Sequence, residues 1–299
     1  ARGATLHLKR AQRSGLLTVT ATVDNGGIPT IASATIDVRE PTKEAWTTRA
    51  ADPDEKPADH QFYARDDRGE GTLHCNGQLD RPGAKLTLTV TVDGKPYAQT
   101  TPTLVGDRYT SEVRLKSGLV RYRAVLTSEL DGQKAILHTA DDLVCGDAFI
   151  IIGQSNAVST DWGKGEGTYQ SEWLRSFGSM SGSPQGLRLW GPAVHRNHQG
   201  GALTIGYWGM ELGQRIIEQQ KVPVCFINGA VGGTRIDQHQ RNTVNPTDMT
   251  TIYGRLLWRV REAKLTHGIR GIFWHQGEND QGADGPTGGY GYELYREFF

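Results

Sequence analysis

Three short polar segments contain the residue types that a nucleophilic serine requires. Segment 153–156 contains Ser155, segment 228–234 contains the adjacent pair Gly232 and Gly233, and segment 275–280 contains Glu278. A serine hydroxyl can attack a carbonyl carbon, and backbone N–H groups can stabilise the resulting oxyanion. A carboxylate can orient a histidine that acts as general base. The three segments together predict covalent catalysis by Ser155.

Ser155 comes directly after an apolar run, where a glycine-assisted turn can expose its hydroxyl. The N-terminus of a helix that follows would direct N–H groups toward an anion. The alternative is that Ser155 or Asn156 only caps that helix. The presence of the other two segments favours the nucleophile.

The remaining segments offer oxyanion donors. Gly232 and Gly233 let the backbone approach a ligand, although a glycine pair is by itself more often a turn. In segment 275–280, Gln276 or Asn279 can donate a side-chain hydrogen bond to developing charge, and Glu278 can orient a histidine. Segment 275–280 alone is equally well explained as a solvated loop.

Each segment follows an apolar run of strand length, at 147–152, 222–227 and 269–274. Continuous apolar runs indicate strands buried on both faces, as in a parallel sheet covered by helices. The helical spacing of apolar residues between the runs predicts those helices, one ending near Gln220 and one over 252–263. Because parallel strands end at one edge of the sheet, we expect the three segments to meet there.

From about residue 4 to residue 143 the pattern is one of strands and turns. Apolar residues alternate at 16–23 and 85–92, and Asp-Gly pairs at 93–94 and 131–132 favour tight hairpins. This pattern predicts an immunoglobulin-like β-sandwich over 1–144. A three-layer, doubly wound α/β domain is predicted over 145–299, with the boundary near residue 144.

Composition limits the partners. The 299 residues include 33 Lys and Arg against 33 Asp and Glu, so the formal net charge is zero. Without a basic field, nucleic acid and an anionic membrane surface are not expected partners. The longest apolar run, 148–152, is far too short to span a membrane.

The three cysteines match no zinc spacing. Cys225 lies in an apolar run and is expected to be a buried, inert thiol. Cys75 and Cys145 could form a disulfide, which the sequence does not decide.

Over about residues 145 to 299 the sequence resembles the sialate O-acetylesterase and carbohydrate acetylesterase group of the SGNH hydrolases. The resemblance rests on four motifs: Gly-Asp at 146–147, Gly-Gln-Ser-Asn at 153–156, Ala-Val-Gly-Gly-Thr at 230–234 and Trp-His-Gln-Gly-Glu at 274–278. It implies an esterase that removes acetyl groups from a sugar through an acetyl-serine intermediate, with no metal or other cofactor. A secreted or periplasmic location is also implied.

The resemblance assigns roles to residues. Ser155 is the nucleophile, and its own N–H, the N–H of Gly232 or Gly233 and an amide side chain form the oxyanion hole. Gln276 matches that amide best, and Asn279 is the second choice. The candidate substrate contacts are Gln154, Asn156, Arg235, His275 and Asn279. For Arg235, a local salt bridge with Asp237 is an equal alternative.

The Asp-x-x-His motif that the family carries near its C-terminus has no match in this sequence. We therefore expect the general-base histidine beyond Phe299 and an incomplete catalytic domain over 145–299, with Glu278 orienting the histidine. His275 is the alternative base, provided that its ring turns toward Ser155. A second functional hypothesis is a catalytically impaired carbohydrate-binding protein of the same fold.

Overall fold

The computed structural model describes residues 15–24, 26–38, 49–81, 83–160, 170–179, 188–196, 201–281 and 291–299. The chain forms two compact units, Ala1–Thr48 and Arg49–Phe299. The first unit contains an antiparallel hairpin of β1 (Gly15–Val23) and β2 (Thr30–Val38).

The second unit contains the three predicted polar segments. Its strands are β3 (Phe62–Ala64), β4 (Glu70–His74), β5 (Gly77–Gln78), β6 (Lys85–Val92), β7 (Lys95–Thr100), β8 (Thr103–Val105), β9 (Arg108–Thr110), β10 (Glu112–Lys116), β11 (Tyr122–Leu130), β12 (Gln133–Gly153), β13 (Leu174–Phe177), β14 (Trp190–Pro192), β15 (Val224–Asn228) and β16 (Ile269–His275). Its helices are α1 (Ser155–Val158), α2 (Tyr207–Gln220), α3 (Ile252–Glu262) and α4 (Gly291–Phe298), with 3-10 turns at Ile236–His239 and Glu278–Asp280.

β12 is the central strand of a mixed sheet. Its first half pairs antiparallel with β11, and its last residues pair in parallel with β15 and β16. The order of the main sheet is β14-β13-β15-β12-β11-β6-β7, and β16 and β3 also pair with β12. The three predicted parallel strands are confirmed. The sheet as a whole is mixed, because the first half of β12 pairs antiparallel with β11.

Helices cover both faces of the parallel part of the sheet. Successive strand residues point to opposite faces, so Ile151 faces one core and its neighbours Ile150 and Ile152 face the other. The core around Ile151 contains Met210 and Ile217 of α2, and the opposite core contains Leu256 and Val260 of α3. The two predicted helices therefore lie where the apolar spacing requires.

Before residue 144, every described regular element is a strand. The immunoglobulin-like sandwich is not confirmed, because these strands are divided among several sheets. β4 pairs with β10, β5, β8 and β9 form a three-stranded sheet, and β6, β7 and β11 belong to the main sheet. The boundary near residue 144 stays a prediction. It falls within β12, which is continuous from Gln133 to Gly153.

The Gly-Asp pair at 146–147 fixes where β12 enters the parallel sheet. A Cβ on Gly146 would lie 1.8 Å from the carbonyl oxygen of Pro223, so only glycine fits there. Arg65 donates two hydrogen bonds of 2.8 Å to the Asp147 carboxylate, and these bonds raise the pKa of Arg65. Arg270 of β16 pairs with the same carboxylate. The buried Asp147 of β12 thus binds both Arg65, the residue after β3, and Arg270 of β16.

All three cysteines are buried and free, so Cys75 and Cys145 do not form a disulfide. Burial raises the pKa of the Cys145 thiol to about 12. None of the described helices combines the length and the apolar character needed to cross a membrane.

Candidate active site

The three polar segments meet at the carboxyl ends of β12, β15 and β16. Gln154 N–H donates to the His275 carbonyl at 3.1 Å, and Val231 N–H donates to the Gly153 carbonyl at 3.0 Å. A Cβ built on Gly232 would lie 3.9 Å from the Cβ of Ser155. The structure therefore places the serine beside the glycine pair.

Ser155 is the first residue of α1, a helix of a single turn, and its side chain is half-buried. The residue before it, Gln154, occupies the N-cap position without a side-chain capping bond. In the described part of the chain the Ser155 hydroxyl makes no hydrogen bond. The geometry gives no support to the alternative in which Ser155 is a helix cap, and it leaves the hydroxyl available to a ligand.

Backbone N–H groups without an acceptor lie in both segments that meet at Ser155. Among the described residues, the N–H groups of Ser155, Asn156, Gly232 and Gly233 donate to no acceptor. Gly233 has a φ of +75°, which side-chain-bearing residues rarely adopt. N–H groups on two sides of a serine hydroxyl can stabilise the oxyanion that forms when the serine attacks a carbonyl.

The two candidate amide donors differ in what their side chains contact. Gln276 Nε2 donates to the Thr234 carbonyl at 3.1 Å and to Asp280 Oδ2 at 2.5 Å, which occupies both of its N–H groups. The Asn279 amide nitrogen lies 4.0 Å from a Cβ built on Gly233 and has no hydrogen-bond partner among the described residues. Of the two, only Asn279, the second choice from sequence, has an amide nitrogen without a hydrogen-bond partner among the described residues.

Glu278 contacts two of the predicted site residues. Its Oε1 accepts a hydrogen bond from the Asn156 amide and lies 3.3 Å from His275 Nε2. Its Oε2 is buried and has no partner among the described residues. The free acceptor is available to one more donor, as a carboxylate that orients a histidine must be.

No described histidine forms a hydrogen bond with Ser155. His275, the alternative base, is exposed, and its ring lies against Glu278 of its own segment. His7 and His198 fall outside the described residues. The expectation that the general base lies beyond Phe299 is not tested by these contacts and stays a prediction.

Gln154 and Arg235 are occupied within the protein. Gln154 is 2% exposed, and its Oε1 accepts from Asn279 N–H at 3.1 Å, so it joins two segments and has little surface for a substrate. Arg235 makes two hydrogen bonds of 3.1 and 3.0 Å to the Asp237 carboxylate. This is the local salt bridge that the sequence offered as the alternative to a substrate contact.

His239, which no motif in the sequence singled out, contacts Thr234 at the end of the segment that carries the glycine pair. The Thr234 hydroxyl donates to the Val231 carbonyl and lies 2.9 Å from His239 Nε2, so this imidazole nitrogen is the donor to the hydroxyl oxygen. Burial lowers the pKa of His239, although Asp280 and Asp237 oppose that effect. A neutral His239 therefore supports the loop that carries Gly232 and Gly233. No residue spacing in the sequence signals this contact.

Gly153 must be glycine for β12 to turn into α1. Its φ is +140°, and a Cβ would lie 1.9 Å from the His275 carbonyl oxygen.

We expect Gly153→Ala to lower the free energy of unfolding by about 3 kcal/mol or more, from backbone strain and the steric clash together. Chemical denaturation measures this. Gly94→Ala is the matched control, because Gly94 has a φ of +77° but open space around it, so about 1 kcal/mol of strain is expected. Equal losses for the two variants would show that the clash is relieved.

Within the described residues, no group of three or more His, Cys, Asp or Glu side chains is arranged to hold a metal ion.

Comparison with known proteins gives a family. The model of the family described as "Carbohydrate esterase, sialic acid-specific acetylesterase" matches residues 145–296. A search of curated proteins found no match. Among solved structures, a carbohydrate acetylesterase from Xanthomonas citri, XAC1771, is 20% identical, with 76% of this chain and 52% of that chain covered and a TM-score of 0.43. A protein from Arabidopsis thaliana is 21% identical, with 45% and 58% covered and a TM-score of 0.34. The chain thus spans about half the length of the Xanthomonas protein.

Proposed function

Because the chain belongs to the carbohydrate esterase family of sialic acid-specific acetylesterases, we propose that it removes O-acetyl groups from a sugar or glycan through an acetyl-serine intermediate. One observation carries the proposal: among the described residues the Ser155 hydroxyl has no hydrogen-bond partner, and Ser155 lies beside a second segment whose N–H groups have no acceptor there. A hydroxyl that is free to attack, with donors already in place, is the arrangement that acyl transfer needs.

In the first step, Ser155 Oγ attacks the acetyl carbonyl carbon and passes its proton to a general base. The carbonyl oxygen becomes an oxyanion, which accepts hydrogen bonds from the N–H groups of Ser155 and of Gly232 or Gly233 and from the Asn279 amide. The bond to the sugar oxygen then breaks, the base returns its proton to that oxygen, and acetyl-Ser155 remains. Water then attacks the carbonyl carbon of acetyl-Ser155 with help from the same base, which releases acetate and regenerates Ser155.

The general base is proposed to be a histidine that Glu278 orients. The proposal is supported by the buried Oε2 of Glu278, which has no partner among the described residues. A carboxylate bound to one imidazole nitrogen fixes the tautomer in which the other nitrogen can accept the serine proton.

A secreted or periplasmic location stays a prediction.

Acetate release tests the function. We expect the natural full-length protein to release acetate from at least one O-acetylated glycan among sialic acid, xylan and pectin, because an acetyl group needs only a shallow pocket and the alcohol side sets the specificity. Enzymatic quantification of acetate over time measures this, with the deacetylated glycans as blanks. Failure on every acetylated glycan and on p-nitrophenyl acetate would contradict esterase activity.

The second candidate is a catalytically impaired carbohydrate-binding protein of the same fold. The observation that favours it is that no described histidine bonds to Ser155. Binding of an acetylated glycan, seen by calorimetry, without any release of acetate would establish this alternative.

A further inference from the structure

The helix that carries Ser155 is too short to be stable by itself. α1 has four residues, and isolated helices of that length do not persist in water. Its last carbonyl groups also need donors from outside the helix. The Trp208 indole N–H donates to the Asn156 carbonyl at 2.8 Å, and the Asn228 amide donates to the Ala157 carbonyl at 3.0 Å. External groups therefore determine where this helix lies.

Asn228 is the more deeply placed of these two groups. It is the last residue of β15 and is completely buried. Besides Ala157, its amide nitrogen donates to the Ile205 carbonyl at 3.1 Å, and its amide oxygen accepts from Ala230 N–H at 2.9 Å. Its own carbonyl accepts from the buried Arg259 guanidinium at 2.6 Å. Both N–H groups and the oxygen of the amide are bonded.

These bonds connect the two halves of the oxyanion arrangement. Ala157 is two residues from Ser155 in the same helical turn, and Ala230 is two residues from Gly232. One planar amide therefore fixes the distance between the serine and the glycine N–H groups. No hydrocarbon side chain can do this, because it has neither the donors nor the acceptor.

We propose that Asn228 is a positioning residue, which holds Ser155 against the N–H groups of Gly232 and Gly233 without touching the substrate. The inference rests on the proposed function. A misplacement of about 1 Å between reacting groups can cost about 100-fold in rate, so a buried amide at this junction has a direct effect on turnover.

Asn76 provides a matched control. It is also a buried asparagine of the second unit, 4% exposed, with its amide donating to the Asp52 carbonyl at 3.0 Å and accepting from Ser111 N–H at 3.2 Å. We expect both Asn228→Ala and Asn76→Ala to lower the melting temperature, with the larger effect for Asn228→Ala, which loses three side-chain hydrogen bonds instead of two. With p-nitrophenyl acetate, we expect Asn228→Ala to lower kcat about 100-fold at nearly unchanged KM. For Asn76→Ala we expect kcat to stay within about threefold of the wild type, since a bond far from the site does not move the reacting groups.

The outcomes separate the two proposals. A wild-type protein that hydrolyses no ester contradicts the proposed function, and amide hydrogen exchange then still tests Asn228. Asn228→Ala should accelerate exchange at residues 157–159 and 230–231, whose N–H groups are hydrogen-bonded, whereas Asn76→Ala should not. If Asn228→Ala does not fold, Asn228→Ser is measured instead, because its hydroxyl is too short to make all three bonds. Equal kcat losses for the Asn228 and Asn76 variants, or unchanged exchange at both segments, would overturn the inference.

Discussion

Ser155→Ala is expected to reduce ester hydrolysis by about 10⁴-fold or more, because the variant has lost the atom that becomes acetylated. Its free energy of unfolding should stay within about 0.5 kcal/mol of the wild type, since the half-buried hydroxyl has no hydrogen bond in the described structure. Initial rates on p-nitrophenyl acetate and urea denaturation measure the two quantities.

Ser128→Ala is the matched control for this variant. Ser128 lies on β11, is half-buried like Ser155, and makes no side-chain hydrogen bond in the described structure. We expect it to keep the wild-type rate. A Ser155→Ala protein that stays folded and hydrolyses the ester at the wild-type rate would remove Ser155 from the mechanism.

Asn279→Ala is expected to lower kcat by about 100-fold to 1,000-fold, the loss seen when one oxyanion donor is removed. KM should change little, because the donor acts mainly on charge that develops in the transition state. Stability should also change little, since the Asn279 side chain is exposed and has no partner among the described residues. Steady-state kinetics and denaturation on the same preparation measure these effects.

Gln276→Ala separates the two amide assignments. Its side chain bonds the Thr234 carbonyl and the buried Asp280 carboxylate, so we expect this variant to lose about 1–3 kcal/mol of stability, because both bonds are lost and the Asp280 oxygen keeps only the Ile236 N–H. The sequence-based choice of Gln276 as oxyanion donor is correct instead if Gln276→Ala lowers kcat about 100-fold at unchanged stability and Asn279→Ala has no effect.

The parallel strands and their covering helices could be predicted because their signals are local. Runs such as 148–152 are apolar at every position, and α2 and α3 place apolar residues on one face. The meeting of the three polar segments then follows from the geometry of parallel strands.

The extent of β12 could not be predicted in the same way. Residues 133–137 of the strand are exposed in a hairpin with β11, whereas residues 148–152 are apolar and contribute to the cores on both faces of the sheet. The change of pattern near residue 144 therefore indicated a domain boundary, while the backbone hydrogen bonds continue across it.

The choice between Gln276 and Asn279 also lay beyond the sequence. The two residues carry the same functional group three positions apart, and only the bonds to Thr234 and Asp280 distinguish them. Asn228 and His239 act through neighbours far along the chain or inside a turn, for which no residue spacing gives a signal.

The most direct test of the central claim is the release of acetate from an O-acetylated glycan, measured side by side for the natural full-length protein and its Ser155→Ala variant. Hydrolysis through acetyl-Ser155 predicts that the wild type releases acetate and that the folded variant releases none above the blank. Release at the same rate by both proteins, or by neither, would contradict it.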